Sequence, residues 1–262
     1  MCLIIFKWQP SSNEPLVLLG NRDEFYDRPS KQAHRWDDQP HILAGKDLQA
    51  GGTWLGLGEN KRMCTVTNFR EVPAQLGERS RGEIPTDFLN SDMPASDFAE
   101  QLAKQDGLYS GFNALLYDGE QLVYTSNRSQ LSWRILEPGL YGLSNHLLDS
   151  AWPKLVRAKH LVSNILNANN LPSEARNASL LTAMMDQSKP KDEELPKTGI
   201  GISGERLLSS IFIQSEHYGT RTTSLVSIQR GNASLIERNY EVSKQIGQPS
   251  FLDQALAITW KN

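Results

Sequence analysis

Cysteine is nearly absent: the 262-residue chain has two, Cys2 and Cys64, in no Cys-x-x-Cys or zinc-type spacing. That excludes a disulfide-stapled scaffold and a zinc knuckle, and a reducing compartment leaves both as free thiols. A basic excess is missing too. With 27 Lys and Arg against 30 Asp and Glu, the net charge is −3, which is not the footprint a phosphate backbone requires, so no nucleic-acid partner is expected. Long apolar runs are also lacking. No stretch approaches the ~20 apolar residues of a membrane span. The apolar run from Cys2 to Phe6 has no basic region before it and no small-residue cleavage site after it. Neither an integral membrane segment nor a secretory signal is expected, and the location expected is cytoplasmic.

What is present suits one globular domain over residues 1–262, with 39% hydrophobic and 22% charged residues, enough to bury a sizeable core. The chain is organised around its start. Leu3 to Trp8 and Leu16 to Leu19 are apolar, β-branched or aromatic runs flanking the turn-forming Pro10-Ser11-Ser12-Asn13-Glu14-Pro15, which predicts an antiparallel hairpin. A turn centred near Ser12 pairs residues whose numbers sum to about 24, and so sets Cys2 opposite Arg22, within a residue. Removal of Met1 would leave a free α-amine on the residue that carries the thiol, so nucleophile and base would share one residue. Arg22 would lower the thiol's pKa, and Asp23 would orient the amine. If Met1 persists, that nitrogen is an amide and cannot act as the base.

Around this corner the sequence resembles the NRDE family, also called the Transport and Golgi organization protein 2 family. The motif Asn21-Arg22-Asp23-Glu24 is followed by Arg28-Pro29, and the likeness runs on in order through most of the chain. It includes Gly51-Gly52-Thr53-Trp54-Leu55-Gly56, Thr67-Asn68-Phe69-Arg70, Ser80-Arg81-Gly82, Gly111-Phe112-Asn113, Gly142-Leu143-Ser144-Asn145, Trp152-Pro153-Lys154 and Tyr218-Gly219-Thr220-Arg221. The resemblance implies an α+β fold, the four-layer αββα sandwich of two mainly antiparallel sheets seen in N-terminal-nucleophile hydrolases. Hairpin blocks alternating with separate amphipathic helices lead to the same expectation, with the opening hairpin in a central sheet.

Further along, residues 27–52, with scattered Pro, Gly and charge, read as a long surface excursion in which Trp36 packs and His41 is solvated. A second hairpin is expected from Thr53 to Leu57 and Met63 to Thr67, and helices over Ile84 to Asn90 and over Ser96 to Gln105, the latter capped by Ser96. Phe112 to Tyr117 and Gln121 to Ser126 flank Asp118-Gly119 as a hairpin, and another strand pair flanks Pro138-Gly139. Helical spacing recurs over about 150–168, started by Asp149 or Ser150, and over 173–187. Lys189 to Lys197 reads as a charged loop. The β-rich run Tyr218 to Ile228 turns at Gly231-Asn232 into Ala233 to Tyr240.

Asn68 ends a strand, where an oxyanion-hole donor belongs, although an Asn closing a strand into a turn reads equally well from the residues. Likeness to the related cholylglycine and penicillin V acylases favours the donor role. Asn145 is a second candidate for the substrate carbonyl, with the same alternative. Arg221, at a strand start that resembles the acylases' catalytic-arginine strand, would pair with Asp23 or orient a substrate carboxylate. The expected site is therefore Cys2, Arg22, Asp23, Asn68, Asn145 and Arg221. His146 and His160 read as satisfied polar groups rather than metal or haem ligands.

Two function classes follow. One is an N-terminal cysteine hydrolase of non-peptide C–N amide or thioester bonds, which needs no cofactor and takes a small acyl or amide substrate. The other, implied by the family's discussed role in haem trafficking or acyl-lipid metabolism, is a non-catalytic intracellular carrier of haem or an acyl lipid such as acyl-CoA. It would use the same cleft, lined by Trp54 and Trp36.

Overall fold

A computed structural model describes residues 2–105, 107–168, 171–241 and 249–260. The opening hairpin forms as the turn chemistry requires: β1 (Cys2–Trp8) and β2 (Leu16–Phe25) pair antiparallel with Cys2 opposite Arg22 and Trp8 opposite Leu16. Both faces of this hairpin are covered, which explains its continuous apolar run. Leu3, Ile5, Val17 and Leu19 face helices, while Ile4, Phe6, Trp8, Leu16 and Leu18 face a second sheet.

Residues 27–52 depart from the expected surface excursion. They hold β3 (Ser30–Arg35) and β4 (Ile42–Asp47). β3 is an edge strand whose one fully buried side chain is Ala33, so its polar composition hid it, and β4 is too short a run to announce itself between Pro40 and Gly45. Trp36 is buried between them and donates Nε1–H to the Ala44 carbonyl at 3.1 Å. β5 (Leu55–Gly58) and β6 (Arg62–Asn68) form the second hairpin. Helices α1 (Glu83–Leu89) and α2 (Ala95–Ala103) follow, and Pro94, not Ser96, occupies the cap position of α2.

β7 (Phe112–Tyr117) and β8 (Leu122–Ser126) pair as expected. The strands around Pro138-Gly139 do not pair with each other: β9 (Trp133–Ile135) edges one sheet, and β10 (Gly139–Leu143) crosses to the other and pairs with β1. Helix α3 (Pro153–Leu166) begins at its proline after Trp152, a few residues later than the Asp149 or Ser150 start signal implies. It is followed by α4 (Ser173–Ala183), α5 (Gly201–Leu207), β11 (Tyr218–Ile228), β12 (Asn232–Tyr240) and β13 (Phe251–Thr259).

One sheet runs β10-β1-β2-β11-β12-β13 and the other β3-β4-β5-β6-β7-β8-β9, antiparallel throughout. Their facing sides share one apolar cluster. The outer side of the first sheet packs on α3 and α4, and that of the second on α1 and α2. The expected αββα sandwich is therefore the fold, with the opening hairpin inside its sheet. Among the described residues no helix is long and apolar enough to cross a membrane.

Candidate active site

Alternation along β2 decides which way its motif residues point. Asn21 faces the helical layer, where its amide donates to the Met184 and Ile211 carbonyls at 2.9 Å each and its oxygen accepts from Thr223 Oγ1. Asp23 follows on the same face, accepting from Thr220 Oγ1 at 2.7 Å. Arg22, cross-strand from Cys2, faces between the sheets and lies over the Trp54 ring at 4.1 Å.

A cavity of about 360 Å³ opens at this end of the sandwich, lined by Cys2, Arg22, Asp23, Glu24, Arg28, Asp47, Trp54, Asn68 and the corner from Arg79 to Gly82, among others. Its far wall depends on one close approach. A Cβ on Gly52 would lie 2.3 Å from the Gly82 carbonyl oxygen, so only glycine lets residues 52 and 82 meet there.

Of the expected residues, Cys2, Arg22, Asp23 and Asn68 line this cavity, whereas Asn145 and Arg221 do not. Asn68 is half-buried, and its side chain makes no hydrogen bond to another described residue. Asn145 is fully buried behind it and donates its amide to the Asn68 carbonyl at 3.0 Å, while its own carbonyl accepts from the Arg70 N–H at 2.7 Å. It braces the Asn68 strand end. The pairing expected between Arg221 and Asp23 is not formed. β11 shifts register between Thr220 and Thr222, which turns Arg221 toward the carbonyls of Phe25 and Arg28 and presents Thr220 to Asp23. Trp36, expected beside Trp54, lies outside the lining. Met1, on which the α-amine depends, lies outside the described residues.

Burial pushes the Cys2 thiol above its ordinary value, with Asp23 and Glu24 acting in the same direction and Arg22 opposing. Arg22 therefore favours the thiolate as expected, but burial outweighs it. Burial also raises the Asp23 carboxyl. Cys64 is wholly buried in the outer core.

Sequence reasoning missed a charged group behind this corner. Lys154, in the first turn of α3, is buried, and that burial pulls it down to about 8 against the opposing charge of Asp23. Arg70 forms a buried ion pair with Glu205 at 2.9 Å and lies over the Trp152 ring at 4.8 Å. Arg81 was missed as well. Trp152-Pro153-Lys154 and Ser80-Arg81-Gly82 stood among the resembling blocks, so the signal was present, but nothing local marked those cations as site residues. His146 is held by Ser150 Oγ at 2.7 Å and lies outside the cavity lining, as does exposed His160. Among the described residues no His, Cys, Asp or Glu cluster could hold a metal ion.

An αββα sandwich whose first strand brings a cysteine into a cleft at the sheet ends is the N-terminal-nucleophile hydrolase-like architecture. The chain belongs to the Transport and Golgi organisation 2 family, whose model matches residues 1–242. It is similar to the Transport and Golgi organization 2 homolog of Mus musculus, 34% identical over 260 residues, covering 91% of this chain and 93% of that protein. It is also similar to Transport and Golgi organization protein 2 of Drosophila melanogaster, 27% identical over 253 residues, 88% of this chain and 89% of that one. Among solved structures, it is similar to a mutant conjugated bile acid hydrolase from Clostridium perfringens at a TM-score of 0.48 and 10% identity, covering 100% and 97% of the two chains. The Caenorhabditis elegans N-acylethanolamine-hydrolyzing acid amidase ortholog follows at a TM-score of 0.40 and 10% identity, covering 86% and 92%.

Proposed function

We propose that the chain is an N-terminal cysteine hydrolase of non-peptide C–N amide or thioester bonds, active once Met1 is removed. The observation that carries this reading is Cys2 in the cavity lining, paired across the ladder with Arg22 and joined there by Asp23 and Asn68. The freed Cys2 amine takes the thiol proton, sulfur attacks the substrate carbonyl, and the Asn68 amide donates to the oxyanion. Collapse breaks the C–N or C–S bond, returns the proton to the departing amine or thiol and leaves a thioester on Cys2. Water then attacks that thioester, giving its proton to the amine and releasing the acid. Asp23 holds the amine throughout.

The carrier reading has less support. Among the described residues no histidine lines the cavity, and Phe25, Trp54 and Val66 are its apolar wall among charged neighbours. Haem is favoured by an axial histidine in an apolar slot, and this charged lining supports that reading less. The deciding experiment combines intact mass of the untagged protein with a screen of simple amides, acyl-amino acids and acyl thioesters. Wild type, Cys2→Ser and a form retaining Met1 are compared. Turnover confined to wild type lacking Met1 is the expected outcome, and equal turnover by all three overturns the reading.

A further inference from the structure

We propose that the cavity takes substrates bearing a carboxylate, recognised by Arg81 with Arg22 beside it; this deepens the hydrolase reading and rests on it for the bond cleaved. Of the four arginines in the lining, Arg28 and Arg79 are already engaged. Arg28 donates to Asp47 at 2.7 Å and lies 3.7 Å from Glu24. Arg79 turns to Glu83 and Asp87, which lie outside the lining.

Arg81 has no carboxylate within ion-pair distance among the described residues, and its guanidinium's one hydrogen bond there runs from Nη1 to the Gly111 carbonyl at 3.1 Å. A guanidinium has five N–H donors, so most of its fork is left for what enters the cavity. Arg22, 5% exposed, meets Glu24 and Asp47 only at 3.8 and 3.7 Å, and its buried Nη1 has no hydrogen-bond partner among the described residues. A buried guanidinium donor left unmade is costly, and an entering oxygen acceptor would satisfy it.

Three further features narrow the ligand. Cys2 and Arg81 line the same cavity, so an anion held by Arg81 shares that space with the sulfur. The volume of about 360 Å³ is near the lower end of small-molecule sites, so the ligand is compact. Glu24 and Asp47 in the same lining repel a second negative charge. That selects a planar, singly charged carboxylate, which a guanidinium fork grips bidentately, over a doubly charged phosphate.

The test separates binding from turnover. Calorimetry on Cys2→Ala protein compares N-octanoylglycine with neutral N-octanoylglycinamide, with inorganic phosphate as competitor. We expect the acid to bind at least about tenfold tighter, ~1.4 kcal/mol. Arg81→Gln should erase that difference and Arg81→Lys keep part of it, with phosphate displacing little. Circular dichroism checks that each variant is folded, and Arg81→Lys carries the test if Arg81→Gln does not fold. Equal binding of acid and amide by Cys2→Ala protein, or no binding of either, overturns the proposal, as does phosphate displacing the acid. Hydrolysis of both ligands by wild type without charge preference leaves the hydrolase reading standing and removes this one. Arg81-dependent binding without turnover does the reverse.

Discussion

Cys2 and Cys64 are the same side chain in opposite situations. Cys2 lines an open cavity and Cys64 is wholly buried against the helices of its sheet. Cys2→Ser should therefore cost on the order of 10²-fold or more in turnover with little change in stability. Cys64→Ser should leave kcat intact and cost ~1–3 kcal/mol, since it buries a hydroxyl with no arranged partner. Steady-state kinetics beside urea unfolding checks both halves. The raised Cys2 thiol gives a second expectation. Because burial favours the neutral thiol, alkylation of Cys2 should climb on the alkaline side of the ordinary 9.0. Arg22→Gln should move the climb higher still, because a cation that favours the thiolate is gone. A limb that moves to lower pH in the variant would contradict the assignment. At this scale the sequence was legible where one ladder decided the outcome: hairpin arithmetic set Cys2 against Arg22. It failed for Arg221, because a register shift between Thr220 and Thr222 re-aimed the side chain. Asn145 lies outside the lining because it sits behind Asn68 and donates to that residue's carbonyl from a different strand end.

Between elements, short contacts fix the cavity wall and its backing. Gly52→Ala would set a methyl 2.3 Å from the Gly82 oxygen, so the corner must move. We expect a loss of ~1–3 kcal/mol in thermal unfolding together with weakened substrate binding, since residues 79–82 carry the Arg81 wall. The Arg70–Glu205 pair ties α5 to the strand end after β6, and Glu205 also accepts from the Thr198 N–H and Oγ1–H at 2.8 and 2.6 Å. Glu205→Gln leaves Arg70 charged and buried, and should cost ~3–5 kcal/mol in denaturant unfolding. Strands with one buried face or a tight turn, such as β7 and β8 around Asp118-Gly119, were readable from pattern. β3 was not, because an edge strand with one buried alanine carries no alternation. β9 and β10 looked like a hairpin because proximity in sequence says nothing about which sheet a strand joins.

Across the whole molecule, one apolar cluster joins both sheets and each outer face has its own helices. With no layer able to bury its surface alone, unfolding should be a single cooperative transition in which tryptophan fluorescence and far-ultraviolet dichroism coincide. Separate midpoints would mean that the two sheets unfold independently. The cavity belongs to this scale as well, since β1 and β2 supply Cys2 to Glu24 while the other sheet and its following corner supply Trp54, Asn68 and Arg81. By itself the sequence determined the opening hairpin, its register, the layered class and the motif residues, because those follow from local turn chemistry, two-residue alternation and recognisable blocks. Only the tertiary structure decided which cations face the thiol. Burial and charge pairing of Lys154, Arg70 and Arg81 depend on segments far apart in the chain, and no local pattern records which side chains the packing of two sheets brings together or leaves unpaired.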